Sequence, residues 1–153
     1  MIIWRGWGVL AVVYIAACAA LLGGALGATL PVPEAAPVLA GVGITIGGAL
    51  AAVHGWYVNI ARPRARAVQW ERVERPRLEQ AAAEGLLVVD SVRPRSPQEA
   101  HAMVEHRLAE GRRVIGRHGP HSVFWIPMEV IGLLAVVGGI LLAAVTAIGA
   151  LTA

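Results

Sequence analysis

The stretch PVLAGVGITIGGALAAVHGWYVNIARPRAR, residues 37–66, decides the fold. Its first part is apolar, with no Asp, Glu, Lys or Arg before Arg62. About 20 such residues in a helix cross the hydrocarbon core of a bilayer. The run then ends abruptly in Arg62-Pro63-Arg64-Ala65-Arg66. Arginines gathered just beyond a span mark its cytoplasmic side. Residues 37–60 are therefore read as an oriented span, and the remaining segments are placed from it.

Two further apolar runs flank this one. Residues 6–30 carry no charge, and Arg5 sits where a side chain can snorkel to the headgroups. The connection Pro31-Val32-Pro33-Glu34-Ala35-Ala36 is short and lacks basic residues, so spans one and two are expected as antiparallel neighbours. The third apolar run, residues 127–151, lies within residues 124–153. The basic residues follow the second run, not the first loop. This predicts a cytoplasmic N-terminus, an external first loop, a cytoplasmic segment over 61–123 and an external C-terminus. Trp4, Trp7, Trp56, Tyr57, Phe124 and Trp125 then all fall at the inner interface.

Composition agrees with this placement. Apolar residues make up 57% of the 153, a share typical of membrane proteins. All 13 basic residues are arginine, and all but Arg5 fall between Arg62 and Arg117. The acids cluster there too, except Glu34 and Glu129. The formal charge of +3 thus belongs to one polar segment. Cys18 is the lone cysteine, which excludes an intramolecular disulfide. Ile15-Ala16-Ala17-Cys18 is similar to a lipobox, but apolar residues continue to Leu30, so Cys18 is expected to pack among helices.

The expected architecture is an all-α membrane protein. Residues 1–60 form a transmembrane hairpin, 124–153 a third transmembrane helix, and 61–123 an Arg-rich cytoplasmic insert of small α/β character. Within the insert, residues 64–75 read as a juxtamembrane helix. Pro76 suits the first turn of a second helix that Gly85 closes. Leu86-Leu87-Val88-Val89 reads as a short strand. Ser96-Pro97-Gln98-Glu99 is a capping box that opens a helix to about Glu110, which Gly111 ends. Val114-Ile115 reads as a second strand. A unit this small is expected to lean on the membrane, a neighbouring subunit or another copy.

Several residues qualify as functional candidates. His54 and Glu129 lie within spans two and three at similar expected depth, and ionisable groups in spans are functional candidates by default. They are expected as an intramembrane pair, structural or proton-relaying. Glu129 also suits the third position of a helix, where a carboxylate favours the dipole. His54 is in addition a candidate axial ligand for a haem or chlorophyll-type metal, with His118 or His121 near the same face. His101 and His106 point to different sides of their helix and make a poor metal pair. Arg62, Arg64, Arg66, Arg72, Arg75 and Arg77 are candidates for contact with anionic inner-leaflet lipids or an acidic partner. Glu71, Glu74 and Glu79 interrupt that basic field, which argues against nucleic acid.

Small residues recur every fourth position in the spans. Gly43, Gly47, Ala51 and Gly55 form one stripe, and Ala135, Gly139, Ala143 and Ala147 another. Gly23 and Gly27 make a shorter one. Such stripes let helix backbones approach closely, within the bundle or against a foreign helix. No nucleophile–base set, phosphate loop, paired catalytic carboxylates or metal signature is present, so an enzyme is not expected.

Two phrases carry a resemblance. Ile2-Ile3-Trp4-Arg5-Gly6-Trp7-Gly8 opens the chain, and His121-Ser122-Val123-Phe124-Trp125-Ile126-Pro127-Met128 opens the third span. The chain resembles a group of small, uncharacterised bacterial membrane proteins that begin with a similar phrase and enter their final span through a His-Ser-(aromatic)-Ile-Pro-Met phrase. The longer insert has no counterpart in that resemblance. It implies a bacterial inner-membrane location and no mechanism. The function expected from all this is a small interaction protein: an accessory or stabilising subunit of a larger membrane complex, or a homo-oligomer. The alternatives are a haem- or pigment-binding subunit using His54, and a proton-conducting or small-molecule-transporting oligomer.

Overall fold

A computed structural model describes residues 4–32, 34–117 and 121–152. The chain divides into two compact units, residues 1–59 with 120–153, and residues 60–119.

The first unit is a helical bundle. Helix α1, Val9–Ala19, follows a 3-10 turn over Gly6–Gly8 and continues as a π-helix over Ala20–Leu26. Helix α2 spans Ala35–Trp56, and α5 spans Met128–Thr152. Each of the three lies in a helical run long and apolar enough to cross a membrane. Their apolar surfaces point outward: Val12, Val13 and Leu21 on the first run, and Leu133, Leu134, Val137 and Leu141 on α5, are exposed. Apolar faces this extensive do not persist in water and suit a lipid surround.

Helix α2 packs against both α1 and α5. Glycine makes this possible, because lipid supplies no hydrophobic drive between helices and close backbone contact must replace it. Gly43 lies against the backbone of Cys18 and Ala19, and Gly47 against Tyr14 and Ile15. Ala51 is fully buried with Ala11 and Met128. A second row, Gly41, Gly48 and Gly55, meets α5 at Gly139 and Ala143, at Gly132 and Val136, and at Met128 and Glu129. Gly23 and Gly27 lie against Ala40 and Ala36. Cys18 is a free, half-buried thiol.

The bundle also carries the chain's sheet. Strands β1 (Trp4–Arg5), β2 (Ser122–Val123) and β3 (Ile126–Pro127) pair antiparallel in that order. Pro127 sits on the edge strand, where a missing N–H costs nothing. Phe124 and Trp125 form the two-residue turn between β2 and β3, with φ of 48° and 70°. Positive φ at both positions is the type I′ pattern that fits a hairpin's twist.

The second unit is an antiparallel helical hairpin. Helix α3 spans Arg62–Ala83 and α4 spans Pro97–Ile115. Leu87, Ala100, Val104 and Leu108 form its core, with Trp70, Leu78, Ala82 and Met103 packed around them. Ser96 caps α4 by accepting from the Glu99 N–H at 3.2 Å, and the Glu99 carboxylate accepts from the Arg95 N–H at 2.7 Å.

Four expectations for the insert are corrected. Helical hydrogen bonding does not stop after span two but runs from Ala35 to Ala83, through a π turn over Tyr57–Ala61. Pro76 therefore lies inside a helix rather than starting one. Both Pro76 and Arg72, the residue whose carbonyl loses its donor, are exposed, while Leu78 and Ala82 pack against the core. Gly111 does not end α4; the Trp70 ring lies directly over it and fills the space a side chain would take. Val114 and Ile115 are helical, and the segment from Leu86 forms one isolated bridge, Val89 to Val92. Among the described residues, no strand–helix–strand unit forms in the insert, and the sheet lies instead at the bundle, built from Trp4–Arg5 and from Ser122–Val123 and Ile126–Pro127 at the start of the third span.

Candidate functional site

The most connected polar site is at the bundle end where α1 and α5 begin and α2 finishes. Its hub is Asn59, which is 1% exposed and sits within the π turn. A π turn adds a residue to the helical circuit and re-aims side chains, and such turns concentrate at functional positions. The Asn59 Nδ2 group donates to Glu129 Oε2 at 2.7 Å and to the His121 carbonyl at 3.0 Å. Its Oδ1 accepts from the His121 N–H at 3.3 Å. Both amide protons and the carbonyl are thus used. The same His121 carbonyl accepts from the Met128 N–H at 3.2 Å, which closes the hairpin base.

His121 also receives the N-terminal segment. The Trp7 N–H donates to His121 Nδ1 at 2.9 Å. Gly6 takes a φ of +58°, and a side chain there would run into the His121 ring. Gly8 lies directly on the Ser122 backbone. Glycine is thus required at Gly6 both by conformation and by space. The two phrases at opposite ends of the sequence, Trp4 to Gly8 and His121 to Met128, therefore build one junction, and Asn59 and Glu129 complete it. Sequence reading missed Asn59. A lone amide in an otherwise apolar run was the available signal, because such a group must find a partner inside protein.

His54 and Glu129 are given different partners. The Tyr14 hydroxyl and His54 Nδ1 share a hydrogen bond of 2.8 Å, with ring centroids 5.8 Å apart. Glu129 is bonded to Asn59 instead. The expected His54–Glu129 pair is therefore replaced by two separate links. Tyr14–His54 ties α1 to α2, and Asn59–Glu129 ties the π turn that follows α2 to α5. Residues at matched depth on adjacent helices need not point at each other, and here Gly55 brings the α5 backbone close while His54, one residue earlier, turns toward α1. Among the described residues no buried side-chain polar atom lacks a partner.

The arginines separate into two sets. Arg75 bonds Glu71 at 2.9 Å and also pairs with Glu105 across the hairpin. Arg112 pairs with the same Glu71 at 3.1 Å. The Arg75 guanidinium holds the Glu71 and Glu105 carboxyls below the usual range, and they in turn push Arg75 up. Arg77 is 3.8 Å from Glu74. Arg62, Arg64, Arg66 and Arg72 are exposed and make no ion pair among the described residues. Because Gly111 meets Trp70 and Gly116 approaches Ala67, the end of α4 packs beside the start of α3. Arg113 and Arg117, also exposed, thus join Arg62, Arg64 and Arg66 at one end of the hairpin.

Two histidines, His101 and His106, are exposed on α4, and His118 lies outside the described residues. Among the described residues no group of three or more His, Cys, Asp or Glu side chains is placed to hold a metal. A group bound through His54 would have to use Nε2, with Tyr14 fixing the ring from Nδ1 as metal-binding histidines are commonly fixed. No family model, curated protein or solved structure matches the chain.

Proposed function

We propose that this protein is a small interaction protein of the bacterial inner membrane, an accessory or stabilising subunit of a larger complex or a homo-oligomer. Its N-terminus and α3–α4 hairpin lie in the cytoplasm and its C-terminus outside. The observation that carries this reading is the division of the arginines. The hairpin uses Arg75 and Arg112 to hold itself together and leaves Arg62, Arg64, Arg66, Arg113 and Arg117 at one end without an acid partner among the described residues. Basic residues beside a membrane are attracted to anionic headgroups, by about 1 kcal/mol each. They equally suit an acidic face on a neighbouring subunit. The spans are consistent with the same reading, because Tyr14 is bonded to His54 and Asn59 to Glu129, which ties the three helices to one another.

The test is the native mass of the protein extracted from its own membranes in mild detergent, with co-purifying species identified. A hetero-complex, or a defined multiple of the 16.0 kDa chain, is expected. A bare monomer would sink the proposal. A second reading, a haem- or pigment-binding subunit, is favoured by the Tyr14–His54 bond alone. Visible absorbance in the purified protein, lost in His54→Ala, would support it.

A further inference from the structure

The chain makes the same tight turn twice, with very different residues. Asp90 and Ser91, at φ of 49° and 67°, close the Val89–Val92 bridge. Short polar side chains of that kind tolerate the left-handed region. Phe124 and Trp125, at φ of 48° and 70°, close the Val123–Ile126 pair. Type I′ turns favour Asn-Gly because both central residues are left-handed. Two bulky aromatics are the opposite choice, and both are strained there.

Packing among the described residues buries neither ring. Phe124 is 57% exposed and Trp125 84%. The turn needs the left-handed backbone but not aromatic side chains, so their presence points to a role outside the fold. The position of the turn indicates which role. Ile126 and Pro127 are all that separate Trp125 from α5, whose apolar run begins at Met128. At the same bundle end Trp7 is 62% exposed just before α1, and Trp56 and Tyr57 are exposed where α2 ends. Rings with an apolar body and a polar edge, at the level where spans begin, match the headgroup–acyl boundary.

We infer that the Phe124–Trp125 turn is an interfacial anchor, its two rings held in the headgroup–acyl boundary of the membrane that α1, α2 and α5 cross. The rigid turn fixes their direction, and the junction of Asn59, His121 and Glu129 beneath it fixes their depth relative to the spans. Lipid contact offsets the strain that the bare turn carries. The inference rests on the membrane-crossing reading of the three helices and is independent of which partners the protein has.

The test is tryptophan quenching in liposomes by phospholipids brominated either near the headgroup end of the acyl chain or near its terminal methyl. Wild type is compared with Trp125→Phe, so that the difference reports Trp125 alone. The expected result is a Trp125 signal quenched more by the shallow bromines than by the deep ones. A Trp125 signal untouched by either lipid, while the remaining tryptophans are quenched, overturns the anchor and leaves the spans intact. Were that signal also shielded from aqueous iodide, the ring would be in a protein contact instead. No quenching of any tryptophan overturns the membrane reading and the anchor together. A second variant, F124N/W125G, supplies the residues the turn prefers. The strain argument expects slower amide exchange at Val123 and Ile126 in that variant, and faster exchange overturns it.

Discussion

Asn59 makes three bonds with one amide, and this makes it the most consequential single residue in the bundle. Replacing it by leucine removes the three hydrogen bonds that join this buried amide to His121 and Glu129. Each such bond contributes about 0.5–1.5 kcal/mol net, so Asn59→Leu is expected to lose roughly 2–4 kcal/mol. Thermal unfolding in detergent measures it. Glu129→Gln should stay within about 1 kcal/mol of wild type, because a glutamine carbonyl can still accept from Asn59. Equal losses in both variants would mean that the charge, not the hydrogen bond, holds the junction. Sequence reading found Glu129 and His54 by their rarity in apolar runs but assigned them to each other. Only side-chain direction separates the pairs, and direction depends on how three helices are rotated about their axes. The two strained aromatics belong at this scale as well: left-handed φ costs non-glycine residues about 1–2 kcal/mol each. Nothing in the phrase Phe124-Trp125 announces a turn.

At the scale of elements, α2 has two glycine rows where sequence reading saw one. Gly43 and Gly47, four apart, face α1, while Gly41, Gly48 and Gly55, seven apart, face α5. Sequence reading put Gly55 in one stripe with Gly43, Gly47 and Ala51 and passed over Gly41 and Gly48, because a spacing of seven is less conspicuous than a repeat of four; the structure turns Gly55 to α5 instead. Gly48→Leu is expected to separate α2 from α5 and abolish a monodisperse detergent-solubilised species. Gly138→Leu should be tolerated, since a side chain there meets nothing within 4 Å. Size-exclusion profiles of the two variants decide it, and indistinguishable profiles would remove the close-packing account. The α3–α4 hairpin is held differently, by a small core and by ion pairs. Glu71 and Glu105 titrate below the ordinary value of 4.5 because Arg75 bonds their charged forms. Their contribution is complete above that ordinary value and disappears as pH falls through the lowered ones. Protection factors for amide exchange in α3 and α4, taken relative to the unfolded rate at each pH, should therefore stay level from neutrality down to the ordinary carboxylate range and fall below it. Glu105→Gln should weaken that acid dependence.

For the whole molecule, the instructive feature is where the insert is attached. Asn59 and His121 flank the segment Ile60–Gly119, and they are joined by hydrogen bonds of 3.0 and 3.3 Å. The chain therefore leaves the bundle and returns to it at one point. A segment attached in this way closes no loop that the bundle needs, and domain insertion is tolerated at such sites. Replacing residues 62–117 by a short Gly/Ser linker is expected to leave the bundle folded, with the Trp7, Asn59 and His121 contacts intact. The melting temperature of the shortened protein checks this, and aggregation on extraction would show that the bundle requires the hairpin. The three helices long and apolar enough to cross a membrane and most of the charged residues are thereby kept in separate units, as the proposed interaction role requires.

The sequence by itself determined the three apolar runs, the arginine-rich segment between the second and third, the Ser96 cap and the presence of close-packing glycines. These are local properties: apolar length, charge placement and capping are each written within a few consecutive residues. The tertiary structure decided which residues meet. It joined Trp7 to His121, Asn59 to Glu129 and Tyr14 to His54, and it carried one helix through Pro76 and another through Gly111. It also made a single bridge and one helix of what read as strand, helix and strand. Those outcomes depend on helix rotation, on the register set by Trp70 over Gly111, and on a π turn that re-aims Asn59. Each is a competition between packing and local preference, and packing prevails because a buried contact or a satisfied amide outweighs the propensity of any one residue.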